Sequence, residues 1–175
     1  IAEQRRDGSE GLPGATMTAD LMSDIFWRNQ GTTVADIQGS FVEACSQTPS
    51  VRVGEEEVDL SQACAVLSAW DGSDNLGSTG SHLFWGTIRQ LPSAMSTGGT
   101  VFPPSFWENP FDPNDPIGTP SGFIAQGPAL LAFASTVKTM NDVNIPIDAP
   151  LSEVQFPAAL RGTTCLWLLR CRVSG

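Results

Sequence analysis

Between Ser93 and Gly122 the chain carries prolines at 103, 104, 110, 113, 116 and 120, and no other feature limits its fold as strongly. Each proline removes a backbone donor and fixes φ, so this stretch holds neither a regular helix nor a central strand. It also carries Phe102, Phe106, Trp107 and Phe111. A disordered linker has few such aromatics, and these read as anchors that pin an ordered loop onto an apolar surface. A loop of this kind needs a scaffold, and the segments on either side have the periodicity of helices.

Upstream, Thr18 precedes Leu21, Met22, Ile25 and Phe26, which lie on one helical face, and Asn29 to Gly31 supplies a stop. A second helix starts at Thr32 or Thr33 and buries Val34, Ile37, Phe41 and Val42 before Pro49. The acidic run Glu55 to Glu57 reads as a solvated loop before a third helix, which Asp59 or Ser61 can cap. That helix places Leu60, Ala63, Cys64, Leu67 and Trp70 on one side and ends at Asp71-Gly72. After the polar stretch 73–80, Ser81 caps a short helix with Leu83, Phe84, Ile88 and Leu91 inward, limited by Pro92. Past the proline-rich loop a last helix spans about Ile124 to Asn141, with Gly127-Pro128 in its first turn. Its broad apolar face is Leu130, Leu131, Phe133, Ala134, Val137 and Met140. Ile145 to Pro150 is extended, and Leu151 to Gln155 forms one turn. The fold class expected is mostly α, helices joined by long ordered proline-rich loops.

Charge narrows the partners. Nine Lys and Arg against 19 Asp and Glu give a net charge of -10, with Lys138 the sole lysine, so neither nucleic acid nor an anionic membrane surface is expected as a partner. No run reaches the roughly 18 apolar residues of a membrane span, and Ile1 to Glu10 is charged where a signal peptide is apolar. The absence of an initial Met and the helix-like start Ile-Ala-Glu-Gln-Arg-Arg are read as an amino end cut from a longer chain.

The four cysteines, Cys45, Cys64, Cys165 and Cys171, lack the close pairs of a zinc site. Cys45 ends one predicted helix and Cys64 lies inside the next, so a disulfide between them and a pair of buried thiols are both open. His82 is the only histidine, set in a helix start beside Leu83 and Phe84, where a structural role outweighs a general-base role. Asp71, Asp74 and Asn75 echo a calcium loop but lack its later Glu, and with Asp112 and Asp115 they read as turn formers. Trp70, Trp85 and Trp107 are better placed in a core than lining a pocket.

Four ordered words carry a family resemblance: Ala63 to Asp71 (ACAVLSAWD); Ser78-Thr79-Gly80 with Leu83-Phe84; Asn109 to Asp112-Pro113 with Asp115 to Pro120; and Leu151 to Gln155 (LSEVQ). In that order they resemble the large chain of N-terminal-nucleophile acylases related to penicillin acylase, especially the branch that deacylates acyl-homoserine lactones and lipopeptides such as aculeacin. The resemblance covers residues 1–163. It departs at Thr79, where the family has Arg, and after Thr163-Thr164, where the family runs on to a His-Gly-Gly turn. Residues 164–175 therefore read as an atypical tail, out of frame or artefactual.

The resemblance implies a four-layer α/β/β/α parent fold, to which this part gives helices and ordered loops. It implies export to the periplasm or medium, and hydrolysis of a linear amide bond, in an acyl-homoserine lactone, a lipopeptide or a penicillin side chain, by a Ser freed at a new amino terminus. That Ser, its His, the oxyanion Asn and the Arg all precede the family region matched by Ile1 to Arg5, so no catalytic, cofactor-binding or metal-binding residue is assigned here and no cofactor is called for. Ser9 and Ser40 are no substitute. The partners implied are the remaining segments of the same acylase, its small chain included, and the acyl amide substrate. Two other readings stand beside it: a non-catalytic helical binding or structural module derived from an acylase, and a small hydrolase built on His82.

Overall fold

The structure is a computed structural model that describes residues 18–31, 34–95, 104–116 and 118–154. The Ile1 segment, Ser9, Thr32, Thr33, Phe102, Gln155, Cys165, Cys171 and the 164–175 tail lie outside the described residues, as does the side chain of Ile25.

Among the described residues six α-helices form: α1 (Ala19–Trp27), α2 (Val34–Gln47), α3 (Ser61–Ala69), α4 (Ser81–Met95), α5 (Pro128–Asp142) and the single turn α6 (Leu151–Val154). Thr18 caps α1, its hydroxyl accepting from the Leu21 amide at 3.1 Å, and Asn29 follows with a φ of 52°. Asp59 takes the amide of Ser61 at 2.8 Å and so serves the start of α3. Among the described residues four strands form two antiparallel pairs: β1 (Ser50–Val53) with β2 (Glu56–Asp59), and β3 (Trp107–Asn109) with β4 (Ser121–Phe123).

Several sequence expectations change here. Glu55 to Glu57 is not a solvated loop: Glu55 turns with Gly54 (φ 64°), and Glu56 and Glu57 pair with Val53 and Arg52 in a two-residue hairpin. The alternation of Val51, Val53 and Val58, with Val58 buried, holds its register. Pro92 does not end α4, which runs on to Met95; losing one N–H is a local defect in a helix packed lengthwise on α5. Helix α5 begins at Pro128 and not near Ile124, because Gly127 takes a φ of 58° and Pro128 then occupies the first helical position. Leu131, expected on the apolar face of the last helix, is exposed, and so is Phe111, expected as a loop anchor, whereas Phe106 and Trp107 are buried as expected.

Phe41 of α2 is the centre of the core. Its ring lies 5.4 Å from Phe133 of α5 and 5.6 Å from Phe123 of β4, and Phe123 in turn stacks on Phe106 at 5.7 Å. The proline-rich loop is thus held by aromatic contacts at its two short strands. Cys45 of α2 and Cys64 of α3 are joined by a disulfide across a sequence separation of 19, with Cα atoms 6.0 Å apart.

Candidate functional site

The loop 70–80 is where three of the four family-like words meet. Trp70, at the end of α3, is buried; its indole N–H donates to the Ser73 carbonyl at 2.8 Å and its ring lies 5.1 Å from Phe84. Gly80 is required by that packing, since a Cβ there would stand 2.5 Å from the Trp70 Cβ. The last word arrives from the other side, where the Leu151 and Ser152 amides donate to the Ser78 and Leu76 carbonyls, each at 2.9 Å. Residues of these three words thus build one loop against one another. The fourth forms its own turn, in which Asp112 accepts from the Asn114 amide at 2.8 Å and Asp115 from the Gly118 amide at 2.9 Å.

Within the loop, the carboxylates act as turn formers. Asp71 accepts the Ser73 amide at 2.9 Å, and that hydrogen bond holds its carboxyl below the usual carboxylate range. Asp74 accepts from the Ser81 hydroxyl at 2.5 Å and from the Trp85 indole N–H at 2.9 Å. Ser81 is the first residue of α4, and its hydroxyl ties α4 to the loop instead of capping it. Trp85 is more than a third exposed, not a core residue, because its indole is turned to Asp74. Among the described residues no three His, Cys, Asp or Glu side chains meet as a metal site.

His82 lies on the inner side of α4, 3% exposed, and neither ring nitrogen has a hydrogen-bond partner. Burial pulls its pKa below 6.5; the Pro146 and Ile147 carbonyls and the Asp148 charge oppose that shift, although neither carbonyl reaches the ring in hydrogen-bonding geometry. Ser81 beside it serves Asp74, and Ser40 donates to the Asp36 carbonyl in its own helix at 3.0 Å. Among the described residues no serine or carboxylate hydrogen-bonds His82, and no triad is assembled around it there.

The chain is similar to acylases, and that class is supported by partial matches of low identity. It is 29% identical to aculeacin-A acylase of Actinoplanes utahensis over 122 residues, which are 69% of this chain and 14% of that enzyme. It is 26% identical over 108 residues to the acyl-homoserine lactone acylase PvdQ of Pseudomonas syringae pv. syringae, covering 59% of this chain and 13% of the relative. The corresponding acylase of Pseudomonas savastanoi pv. phaseolicola is 32% identical over 76 residues, 43% of this chain and 9% of the relative. The chain thus spans about a seventh of the length of the first of these relatives. No family profile matches it. Among the described residues no helix is long and apolar enough to cross a membrane.

Proposed function

We propose that this chain is a scaffold portion of the large chain of an N-terminal-nucleophile acylase and does not itself carry the nucleophile. The observation that carries this reading is the match to aculeacin-A acylase over 69% of the chain but only 14% of the relative. In the whole enzyme a Ser at a new amino terminus, outside these 175 residues, attacks the acyl carbonyl while its own α-amine takes the proton. Backbone and Asn donors from outside this chain stabilise the oxyanion, and water then releases the acid. The substrate is a linear acyl amide, of an acyl-homoserine lactone, a lipopeptide or a penicillin side chain, in the periplasm or outside the cell. The helical layer described above packs within an α/β/β/α fold completed by the remaining segments of the same enzyme.

A fluorogenic long-chain acyl amide tests this, with the chain assayed alone and mixed with the upstream segments of an aculeacin-type acylase. Silence alone and turnover only in the mixture, lost when the N-terminal Ser is replaced by Ala, is the expected result. Turnover by the isolated chain overturns it.

A further inference from the structure

Helix α1 is nine residues long, and a lone helix of that length is marginal in water. Helices this short persist in proteins chiefly because an apolar face is covered. Yet no described residue of α1 is buried: Leu21 is half-buried, and Met22, Phe26 and Trp27 are 52%, 72% and 74% exposed. Met22 and Phe26 stand four residues apart and share one side of the helix, while Asp20 and Asp24 share the opposite side. The end of α1 is fixed in place, since the Asn29 carbonyl accepts the Asp74 amide at 3.0 Å and the Gln30 side chain donates to the Asp71 carbonyl at 2.7 Å. The same loop exposes Leu76 and, through Asp74, holds the exposed indole of Trp85. An apolar helix face is thus anchored at one end and presented outward beside the loop in which three of the family-like words meet.

We propose that Met22, Phe26 and Trp27 dock into an apolar groove on the remaining segments of the same acylase, an inference that rests on the scaffold reading above. The match covers 14% of aculeacin-A acylase, so most of an enzyme of that length lies outside it and can supply the covering surface. Apolar anchors one helical turn apart are the pattern by which a helix enters a groove. Large aromatics such as Phe26 and Trp27 carry most of the energy of such contacts once water is excluded. Charge separates this occupant from two others. With a net charge of -10, and with Asp20 and Asp24 on the helix itself, a second copy and an anionic membrane surface are both repelled.

The experiment immobilises the remaining segments of an aculeacin-type acylase and measures binding of the full chain, native and with Met22→Ser, Phe26→Ser or Phe111→Ser. Hydrogen exchange of the α1 amides is followed in the free and the bound chain. Phe111 is exposed on the proline-rich loop and serves as the control. Binding is expected to weaken at least about tenfold in Phe26→Ser, about threefold or more in Met22→Ser and less than about twofold in Phe111→Ser. The α1 amides are expected to exchange at least about tenfold more slowly in the bound chain. Native binding that survives Phe26→Ser undiminished, with α1 exchange unslowed, overturns the docking and leaves the scaffold reading standing. No binding by the native chain overturns the scaffold reading and the docking with it. A dimer of the native chain alone, seen by light scattering and dispersed by Phe26→Ser, gives the face to a second copy and also overturns the proposal.

Discussion

Helix α1 and helix α5 have the same kind of apolar spacing and opposite fates. In α5, Phe133 and Ala134 are 0% exposed, enclosed by α4, by the β1–β2 hairpin and by Phe41 of α2. In α1, Met22, Phe26 and Trp27 are exposed, and Phe26 meets its neighbour Trp27 in an edge contact at 4.8 Å. What holds α1 is polar: the Thr18 cap, an Arg28–Asp24 ion pair at 2.5 Å, and ties from Asn29 and Gln30 to the 71–75 loop. Periodicity specifies that a helix will form and which side is apolar, while burial needs a partner that periodicity does not name.

The contrast can be broken most directly at its buried end. Phe133→Ala removes a ring stacked on Phe41 and is expected to cost about 3–5 kcal/mol, read as a drop in the denaturant midpoint without a change in slope. A loss under about 1 kcal/mol would mean that the core closes over the gap, and that α5 is less tightly held than its burial states.

A smaller effect comes from acid. Burial lowers the folded-state pKa of His82 below 6.5, so the unfolded chain binds the extra proton first. Its contribution to stability is complete above pH 6.5 and falls as pH drops from 6.5 to the folded pKa, below which the loss levels off. Chemical denaturation from pH 7.5 to 5 is expected to show this slope in the native chain and a flatter one in His82→Gln. Equal slopes in the two would assign the acid sensitivity to other groups.

At the exposed end, Phe26→Ala is expected to change stability by no more than about 0.5 kcal/mol, because the side chain is 72% exposed. A cost several times larger would show that α1 is covered in solution, and would sharpen the comparison into a search for what covers it.

The reading from sequence and the fold agree where local chemistry is strong. The cores of α2 and α3, the Thr18 cap and the buried Phe106 and Trp107 follow from apolar spacing, cap residues and aromatic size. The β1–β2 hairpin was illegible because three successive glutamates hide a Gly54 turn, and the pairing Val51 with Val58 is stated only by the ladder. Pro92 was read as a stop because proline penalties are local, whereas α4 gains its stability from packing on α5. At the candidate site, the sequence marked His82 as the sole histidine and doubted its catalytic role. It gave no sign that His82 would be buried with both ring nitrogens unpartnered, since that depends on α4 packing against α5 and the segment before α6.

By itself, the sequence determined where most helices run, that an aromatic-pinned loop separates α4 from α5, and that the charge repels polyanions; these follow from spacing, backbone freedom and net charge, all local or summed quantities. Only the tertiary structure decided that three separated words join around one loop, that Ser81 serves Asp74 and not His82, that Met22, Phe26 and Trp27 of α1 are exposed, and that a buried imidazole is left without a hydrogen-bond partner. Each of those is a contact between residues distant in the chain, and such contacts depend on how whole elements pack and on which polar groups find partners once water is excluded.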